Sequence, residues 1–331
     1  MSEIYDPQIE SLINRPLHHV TPFTDAVEPK GDFLGIPMSV QRTQRHIEAV
    51  VCPTKKEETQ LVISTQQGCK VKCWFCDMGD LDSGGSGNSL TPKEMLDELT
   101  ITMQEGEKHN YGLSPDALKI TFAKGGEPFM NPRLIEFLET IKDRLPVKLK
   151  ISTTFPDTPV SHQNFDNLVE FAADYPGIIQ LQISILSTDS CRREEITRVH
   201  PISFLELRQK AEEWHRKVQN PRKFLLSFTL DSNTPCCPEA ILVILPPEYF
   251  AIRLRRWIPT KHGEQHGLER PELLDVKILE SRFADFGYKI IPGESTETEV
   301  KHKLTAGYNQ RRTSAQVDAP GSRKLQSDCE E

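Results

Sequence analysis

Ser64-Thr65-Gln66-Gln67-Gly68-Cys69-Lys70-Val71-Lys72-Cys73-Trp74-Phe75-Cys76 places three cysteines at a C-x₃-C-x₂-C spacing, directly after a short apolar run. Thiolates are the usual protein ligands of four-iron clusters. Cysteines three and four residues apart on a tight loop are able to reach three irons of one cluster. No fourth cysteine lies nearby, so one iron keeps an open position. An open position marks a metal site for chemistry, as it does in catalytic zinc sites.

A zinc site and a set of buried structural thiols are the alternatives for these cysteines. Zinc sites usually require a second C-x₂-C pair, or a histidine pair at a set distance, and the sequence offers no good one. The spacing therefore favours one iron–sulfur cluster held by Cys69, Cys73 and Cys76.

Composition and charge narrow the class of protein. The chain has 331 residues, of which 27% are charged and 37% hydrophobic, and its formal net charge is −8. It contains no apolar run long enough to span a membrane and begins without a signal-peptide pattern, so a cytoplasmic protein is expected. The negative charge is unfavourable for a broad nucleic-acid surface, although a local basic patch remains compatible. Eight cysteines in a chain of this length indicate metal or redox chemistry rather than a disulfide scaffold.

The chain divides into three predicted parts. Residues 1–45 are rich in proline and polar side chains and are expected to form an arm with at most one short helix. Residues 46–306 are the predicted core. Residues 307–331 are polar and lack periodicity, so a disordered tail is expected.

Strands alternate with helices through most of the predicted core. Residues 47–52 and 61–64 are predicted to pair as a hairpin, with the charged run 54–59 as its loop, and Thr91-Pro92-Lys93-Glu94 opens a helix. Further strands are predicted at 118–122, 147–153, 178–185, 224–230, 250–257 and 288–291, and helices at 131–144, 165–174, 204–218, 238–245 and 271–286. This alternation predicts an α/β fold with a parallel sheet, an open or partial (β/α) barrel, and an active site at the carboxyl ends of the strands.

Polar residues follow several of these strands. Ala123-Lys124-Gly125-Gly126-Glu127-Pro128 follows the strand at 118–122, and its glycines allow close backbone approach to a ligand. Glu127 is a candidate acceptor for an ammonium group. Ser152, Ser184 and Asn233 lie at later strand ends, where hydroxyl and amide groups suit a ribose or an adenine edge. Each of these residues alone is better interpreted as an ordinary turn or cap residue, and the joint pattern carries the prediction.

The cysteine spacing, together with Gly125-Gly126-Glu127-Pro128, resembles the radical S-adenosylmethionine (radical SAM) enzymes. Within that superfamily the chain is most similar to the radical rRNA adenine methyltransferases. The matching pieces are Ser64–Cys69, Gly126–Asn131, Ile151–Thr154, Ser184–Leu186 and Arg192–Leu207. The resemblance covers roughly residues 46–306 and implies a partial (β/α)6-type radical SAM barrel with an N-terminal β-hairpin and a C-terminal extension.

The resemblance also implies cofactors and site roles. Cys69, Cys73 and Cys76 would hold a 4Fe–4S cluster whose open iron binds the amino and carboxylate groups of S-adenosylmethionine. Reduction by a flavodoxin- or ferredoxin-like electron donor would release a 5′-deoxyadenosyl radical. Gly125, Gly126 and Glu127 would lie at the methionine amine. Ser152, Ser184 and Asn233 would contact the carboxylate, ribose or base, as the protein orients the cofactor that carries the chemistry.

Two differences from the methyltransferase pattern limit which properties of those enzymes can be inferred for this chain. Those enzymes use one cysteine seven residues before the first cluster cysteine, where this chain has Val62, and a second in a C-terminal Ala-Cys-Gly segment, where it reads Leu304-Thr305-Ala306-Gly307-Tyr308-Asn309. Both methyl-transfer cysteines are absent from the sequence. The N-terminal arm is also short for the RNA-binding accessory domain of that family. A different reaction is therefore expected.

The sequence gives weaker indications of a functional role for other residues near the predicted site. Cys191, Cys236 and Cys237 are candidates for a thiol donor or a second metal ligand, and inert thiols on loops are the more ordinary interpretation. The last long strand carries Arg253, Arg255 and Arg256, with Trp257. These arginines are candidates to meet an anionic substrate, but strand alternation directs some of them outward to solvent.

Three functional hypotheses follow. The first is a radical SAM enzyme acting on a small molecule, a peptide or another non-rRNA substrate. The second is an RNA-modifying relative of the methyltransferases that uses another route. The third is a catalytically inactive binding protein that keeps the fold, and the intact cysteine motif and Glu127 disfavour it.

Overall fold

A computed structural model describes residues 7–17, 21–23, 36–42, 45–53, 58–79, 87–143, 145, 147–219 and 221–295. The predicted tail and the segment Leu304–Asn309 lie outside these described residues. Within them, none of the helices is long and apolar enough to cross a membrane.

The described strands form one large sheet and one small ribbon. The strands are β1 (Thr21–Phe23), β2 (Ile36–Arg42), β3 (Arg45–Pro53), β4 (Thr59–Ile63), β5 (Gln66–Gln67), β6 (Asn88–Ser89), β7 (Leu118–Phe122), β8 (Lys148–Thr153), β9 (Ile179–Ser184), β10 (Phe224–Leu230), β11 (Phe250–Arg256) and β12 (Lys289–Ile290). The large sheet has the order β1-β2-β3-β4-β7-β8-β9-β10-β11-β12, and β5 pairs with β6. Pairing is antiparallel from β1 to β4 and parallel from β4 to β12.

Helices provide the crossovers between the parallel strands. They are α1 (Pro7–Ile13), α2 (Pro92–Lys108), α3 (Leu134–Lys142), α4 (Pro159–Asp174), α5 (Ser190–Thr197), α6 (Phe204–Lys217), α7 (Pro238–Leu242), α8 (Lys261–Gln265) and α9 (Leu273–Asp285). Each parallel strand from β7 onward pairs with the parallel strand before it in the chain, which is the simplest way to build a sheet from βαβ units.

The structure confirms the predicted α/β class, the N-terminal hairpin and the mostly parallel sheet, which does not close into a barrel within the described residues. The predicted bounds of β7 and β10 match those observed. The helix predicted at 165–174 begins earlier, at Pro159, because Thr158 caps it by accepting a hydrogen bond from Ser161 N. Helix α5 was not predicted, and the arm contains two strands beside its short helix.

The two faces of the parallel sheet differ in character. One face packs against the helices through aromatic rings: Phe122 meets Phe137 of α3 at 5.9 Å between centroids, and Phe224 meets Phe165 of α4 at 6.3 Å. Side chains alternate along a strand, so the neighbouring positions project from the opposite face. That face, called here the polar face, carries Thr121, Lys150, Ser152, Gln182, Ser184, Ser227 and Arg253 among its residues.

Candidate active site

The cysteine loop follows the carboxyl end of β4, as predicted. Strand β5 lies inside this loop and pairs with β6, and a short 3₁₀ turn at Asp77–Gly79 ends it. Because β4 runs parallel to β7, the loop lies at the same edge of the sheet as the other strand ends.

The three cysteines of the loop lie close enough to influence one another electrostatically. Burial, and then the charges of Cys69, Cys76 and Glu127, raises the pKa of Cys73. Burial, followed by Cys76 and Glu127, raises the pKa of Cys69 to about 12. Thiols with raised pKa values require a nearby cation to become thiolates. A metal ion provides this charge, because thiols that coordinate a metal are deprotonated. The donor set therefore fits an iron–sulfur cluster.

The described residues contain no group of three His, Cys, Asp or Glu side chains that could hold a single metal ion. In a four-iron cluster each thiolate would bind a different iron, so the three thiols need not lie within reach of a single ion.

Helix α5 supports the cysteine loop from one side. Trp74 N donates to Ile196 O at 3.0 Å, and Cys73 Sγ lies 3.9 Å from Thr197 O as a donor. The guanidinium of Arg192 lies over the Trp74 ring, 5.0 Å from its centroid. Sequence reasoning missed these contacts because it missed the helix. Its signal was Asp189, whose side chain caps α5 by accepting from Arg192 N at 2.7 Å.

Helix α8 supports the loop from a second side. Thr260 Oγ1 donates to Phe75 O at 3.2 Å, and His262 N donates to the carboxylate of Asp77 at 3.0 Å. His266 stacks on Trp74 with 4.8 Å between ring centroids. Thr260 also caps this short helix by accepting a hydrogen bond from Gly263 N at 3.1 Å.

Gly125 and Gly126 pack directly against the start of the cysteine loop. Thr65 N and Gln66 N both donate to Gly125 O, at 2.7 and 3.1 Å, and Gly125 N donates to Ser64 Oγ at 3.0 Å. A Cβ atom at Gly126 would lie 2.5 Å from Gln66 Cβ, and its φ of +92° favours glycine. The sequence predicted that these glycines let the backbone approach a ligand. In the structure they also let the glycine loop approach the cysteine loop.

Glu127 is buried, and four donors of the chain bind its carboxylate. Oε1 accepts from Phe129 N at 3.1 Å and from the Thr153 hydroxyl, and Oε2 accepts from Thr154 N and Thr154 Oγ1, both at 2.8 Å. Burial raises the pKa of Glu127, and these hydrogen bonds oppose that shift. Glu127 therefore joins the ends of β7 and β8 beside the thiols. Its contact with an ammonium group stays a prediction.

The remaining predicted cofactor residues lie at the expected strand ends in different environments. Ser152 lies near the end of β8, and its hydroxyl is buried without a hydrogen-bond partner among the described residues. Ser184 ends β9 and pairs in register with Ser227 of β10. Asn233 is exposed in a turn, where its backbone N donates to Asp231 Oδ1 at 2.9 Å. The orphaned hydroxyl makes Ser152 the best placed of the three to bind a ligand.

The other candidate cysteines, Cys191, Cys236 and Cys237, follow the ends of β9 and β10. Cys191 is exposed in the first turn of α5. Burial raises the pKa of Cys236 to about 12, whereas Cys237 is exposed and donates its S–H to Glu239 Oε2 at 3.0 Å. A raised pKa disfavours the thiolate, so Cys236 suits an inert role rather than a nucleophile.

Glu98 of α2 lies behind the site and is fully buried, with Ser64 N donating to its Oε2 at 3.1 Å. Burial raises the pKa of Glu98 well above 4.5. The folded state therefore binds a proton that the unfolded chain has lost, and stability should decline as the pH rises above 4.5. We expect Glu98→Gln, which stays neutral, to weaken this decline in denaturant unfolding measured from about pH 5 to pH 8. Glu139→Gln, at an exposed position of α3, is the control and should leave it unchanged.

Comparison with known proteins identifies the domain. Residues 63–217 match the model of the radical SAM superfamily, so the chain contains a radical SAM domain. It is homologous to the RlmN and Cfr radical SAM rRNA methyltransferases. The superfamily uses a 4Fe–4S cluster and S-adenosylmethionine, which are accordingly the cofactors of this domain.

The sequence relatives match only part of the chain. The probable dual-specificity RNA methyltransferase RlmN of Christiangramia forsetii is 28% identical over 182 residues, 52% of this chain and 46% of that protein. The ribosomal RNA large subunit methyltransferase Cfr of Lachnoclostridium phytofermentans is 33% identical over 97 residues, 29% of this chain and 25% of that protein. The matched segments span less than half the length of these relatives.

A solved structure shares the fold over nearly the whole chain. The crystal structure of a radical SAM methyltransferase from Sphaerobacter thermophilus superposes with a TM-score of 0.70 at 19% identity, covering 90% of this chain and 83% of that one. At this identity the likeness shows the fold.

Proposed function

We propose that the protein is a radical SAM enzyme that reductively cleaves S-adenosylmethionine and uses the resulting radical on a substrate other than rRNA. The observation that supports this most is the junction between the two loops. The cysteine loop and the Gly125-Gly126-Glu127 loop are bound to each other through backbone hydrogen bonds, and Glu127 lies beside the buried thiols. The residues proposed for the two halves of the cofactor site lie together at one sheet edge, which supports the proposal.

The chain's own residues have distinct proposed roles. Cys69, Cys73 and Cys76 hold the cluster, which when bound and reduced by an external electron donor supplies the electron that splits S-adenosylmethionine into methionine and a 5′-deoxyadenosyl radical. Gly125 and Gly126 let their loop pack against Ser64 and Gln66 of the cysteine loop, and this junction is the proposed position of the methionine end. The site walls, α5 and α8, restrict water around the cysteine loop, which protects a radical from side reactions.

Glu127 and the strand-end polar groups complete the cofactor site. Glu127 N donates to Gln66 Oε1 at 3.0 Å, and this bond fixes the position of Glu127 relative to the cysteine loop. The Ser152 hydroxyl, which has no described partner, and Ser184 and Asn233 are the proposed contacts to the rest of S-adenosylmethionine.

The position of Val62 supports a reaction different from rRNA adenine methylation. Val62 lies on β4, in register with Val50 and Thr121, and is 7% exposed. The resemblance places one of the two methyl-transfer cysteines at this position, and a valine side chain has no thiol to take part in the transfer. The net charge of −8 is likewise unfavourable for binding a large RNA.

Homology to the RlmN and Cfr proteins keeps an RNA-modifying enzyme as the second candidate. Such an enzyme would need a transfer route that does not pass through a thiol at position 62.

One pair of assays separates these functions. Anaerobically reconstituted protein, given dithionite and S-adenosylmethionine, should release 5′-deoxyadenosine above the level of a protein-free control. RNA from cells that express the chain should carry no additional methylated adenine by mass spectrometry. Release of no 5′-deoxyadenosine with dithionite or a flavodoxin system would support a binding protein, and new methylated adenine would support the RNA-modifying enzyme.

A further inference from the structure

Exposed basic side chains lie around the cysteine loop on three segments of the chain. Lys70 and Lys72 belong to the loop itself, Arg198 is the residue that ends α5, and Lys261 begins α8. These four residues, called here the basic rim, are all exposed. They contrast with the chain as a whole, whose formal net charge is −8.

Bonds between the cysteine loop and α5 bring two cations of the basic rim to adjoining positions. Trp74 N donates to Ile196 O at 3.0 Å, and Cys73 Sγ donates to Thr197 O at 3.9 Å. The two segments therefore run in opposite directions where they meet. The next residue outward on each segment belongs to the basic rim, so a lysine and an arginine follow the contact side by side.

Lys261 and Lys70 lie beside other parts of the same loop. Thr260, the residue before Lys261, donates from Oγ1 to Phe75 O at 3.2 Å. A Cβ atom at Gly87 would lie 2.2 Å from Lys70 Cγ, so the stem of Lys70 packs against the residue that precedes β6. The four cations are thus placed around the loop by contacts of its backbone and of their own stems.

The carboxylates of the same three segments are bound to other groups or lie apart from the basic rim. They belong to Asp77, Glu194, Glu195 and Glu264. Asp77 is buried and accepts a hydrogen bond from the backbone of α8. Glu194 and Glu195 lie 3.1 Å from a nitrogen of His200 and 2.7 Å from one of Arg192, respectively. In the described part of the chain, no ion pair joins any of these carboxylates to a rim cation.

A surface of this kind suits a protein partner of opposite charge. Complementary charges steer two proteins together and raise the rate of association, whereas the overall negative charge of this chain repels an acidic partner elsewhere. Trp74 and Phe75 lie inside the basic rim and are half-buried. Aromatic residues are enriched at the centres of protein interfaces, where charged residues surround them.

We propose that the basic rim is the docking surface for an acidic protein that carries single electrons. The inference rests on the proposed function, because it names the partner of the same site. In the step that it serves, one electron leaves the carrier and enters the cluster held by the cysteine loop, and no covalent bond forms or breaks. Electron transfer weakens steeply with distance, so the carrier has to approach this loop, and the basic rim surrounds it.

An RNA partner fits the basic rim less well. Proteins that bind the phosphate backbone neutralise many phosphates over an extended basic surface. The basic rim has four cations, with the carboxylates of Glu194, Glu195 and Glu264 exposed on the same segments. Transient electron-transfer complexes use small interfaces, which bury less than about 1,200 Å². The size of the surface therefore favours the electron carrier.

The test compares two reductants of opposite charge on the anaerobically reconstituted full-length chain. One is a reduced flavodoxin chosen for its acidic isoelectric point, which has to dock, and the other is reduced methyl viologen, a small cation. We expect flavodoxin-driven release of 5′-deoxyadenosine to fall as sodium chloride is raised from about 0.01 to about 1 M, because the Debye length shortens from about 30 to about 3 Å. Release driven by methyl viologen should not fall.

A double variant, Lys72→Asn with Arg198→Asn, removes two charges of the basic rim. Lys72 and Arg198 have φ values of 58° and 61°, and asparagine accepts this left-handed conformation better than most residues. Isothermal titration at low salt should show oxidised flavodoxin binding about tenfold more weakly to this variant than to the wild type. Its iron content and its methyl viologen-driven release should equal those of the wild type.

Arg216→Asn with Lys217→Asn is the matched control, because it removes the same number of charges. Both residues are exposed in the last turn of α6, which leads to the amino end of β10 at the opposite edge of the sheet. This variant should bind flavodoxin as the wild type does. Lys70→Gln with Lys261→Gln is the second rim variant if the first does not load iron, and it should show the same weakening.

Three outcomes would overturn the proposal. They are flavodoxin-driven release that does not depend on salt, equal flavodoxin binding by the rim and α6 variants, and an iron-loaded rim variant that loses methyl viologen-driven release as severely as flavodoxin-driven release. Binding of a single-stranded RNA oligonucleotide that depends on the basic rim, with flavodoxin binding unchanged, would contradict it in favour of a nucleic-acid surface. Absence of 5′-deoxyadenosine with both reductants would instead contradict the proposed function, and the titrations would still decide whether the basic rim binds the carrier.

Discussion

Replacing Cys73 with alanine should reduce the iron content of the reconstituted protein from about four atoms per chain to less than one. Cys73 is 7% exposed, and α5 fixes the loop around it through Trp74 and Thr197. The two cysteines that remain on that loop cannot supply the missing third ligand. Iron analysis and the absorbance of the brown cluster measure the loss, and 5′-deoxyadenosine release should fall below detection.

Cys191→Ala is the matched control for that variant. Cys191 is exposed on the helix that supports the cysteine loop, so its removal changes a thiol near the site without removing a proposed ligand. It should retain the full iron content and 5′-deoxyadenosine release. A Cys73→Ala protein that keeps a full cluster would refute the assignment of the three cysteines, and loss of turnover with an intact cluster in Cys191→Ala would give Cys191 a role in the reaction.

Gly126→Ala should destabilise the fold by about 2–5 kcal/mol, the sum of backbone strain and overpacking. The backbone at this position has a φ of +92°, and the added Cβ would lie 2.5 to 2.7 Å from Gln66 side-chain and backbone atoms. The cysteine loop cannot move away easily, because Gly125 O accepts from both Thr65 N and Gln66 N. Denaturant unfolding of the wild type and the variant measures the difference.

Gly267→Ala separates the two causes. Gly267 also has a positive φ, of +69°, but an added Cβ there would meet no atom within 4 Å. Its cost should be the strain alone, about 1–2 kcal/mol. Equal losses in the two variants would show that the contact between the glycine loop and Gln66 is looser than the structure has it. If Gly126→Ala loads less iron while Gly267→Ala does not, the glycine loop also shapes the cluster site.

The sheet was largely predictable because its pattern is local. Buried parallel strands such as β7 and β10 are short apolar runs between helices, and both were predicted with their observed bounds. Helix α5 was missed because Ser190–Thr197 is almost entirely polar, with a weak apolar stripe. Its stability comes from the Asp189 cap and from tertiary contacts with the cysteine loop, which propensity alone does not reveal.

The proposed metal ligands could be chosen from their spacing, whereas the partners of the other site residues could not be predicted. Cys69, Cys73 and Cys76 share one loop, so their separation in sequence limits their separation in space. Three of the four donors to Glu127 belong to Thr153, which ends β8, and to Thr154, which follows it. They lie 26 and 27 residues away, and their positions depend on the register of β8 against β7. Such long-range geometry has no signature in a single sequence.

The supports of the cysteine loop have a consequence for how the metal centre is made. Trp74 binds Ile196, and Phe75 accepts a bond from Thr260, which is 185 positions further along the chain. A ribosome makes the thiols first and the two supporting helices much later, since synthesis runs at about 5–20 residues per second. For at least several seconds the nascent chain therefore presents three cysteines without the two helices that support their loop. Because the loop gains both supports only after α8 has been made, we expect iron to be delivered to a stable site after that point of synthesis.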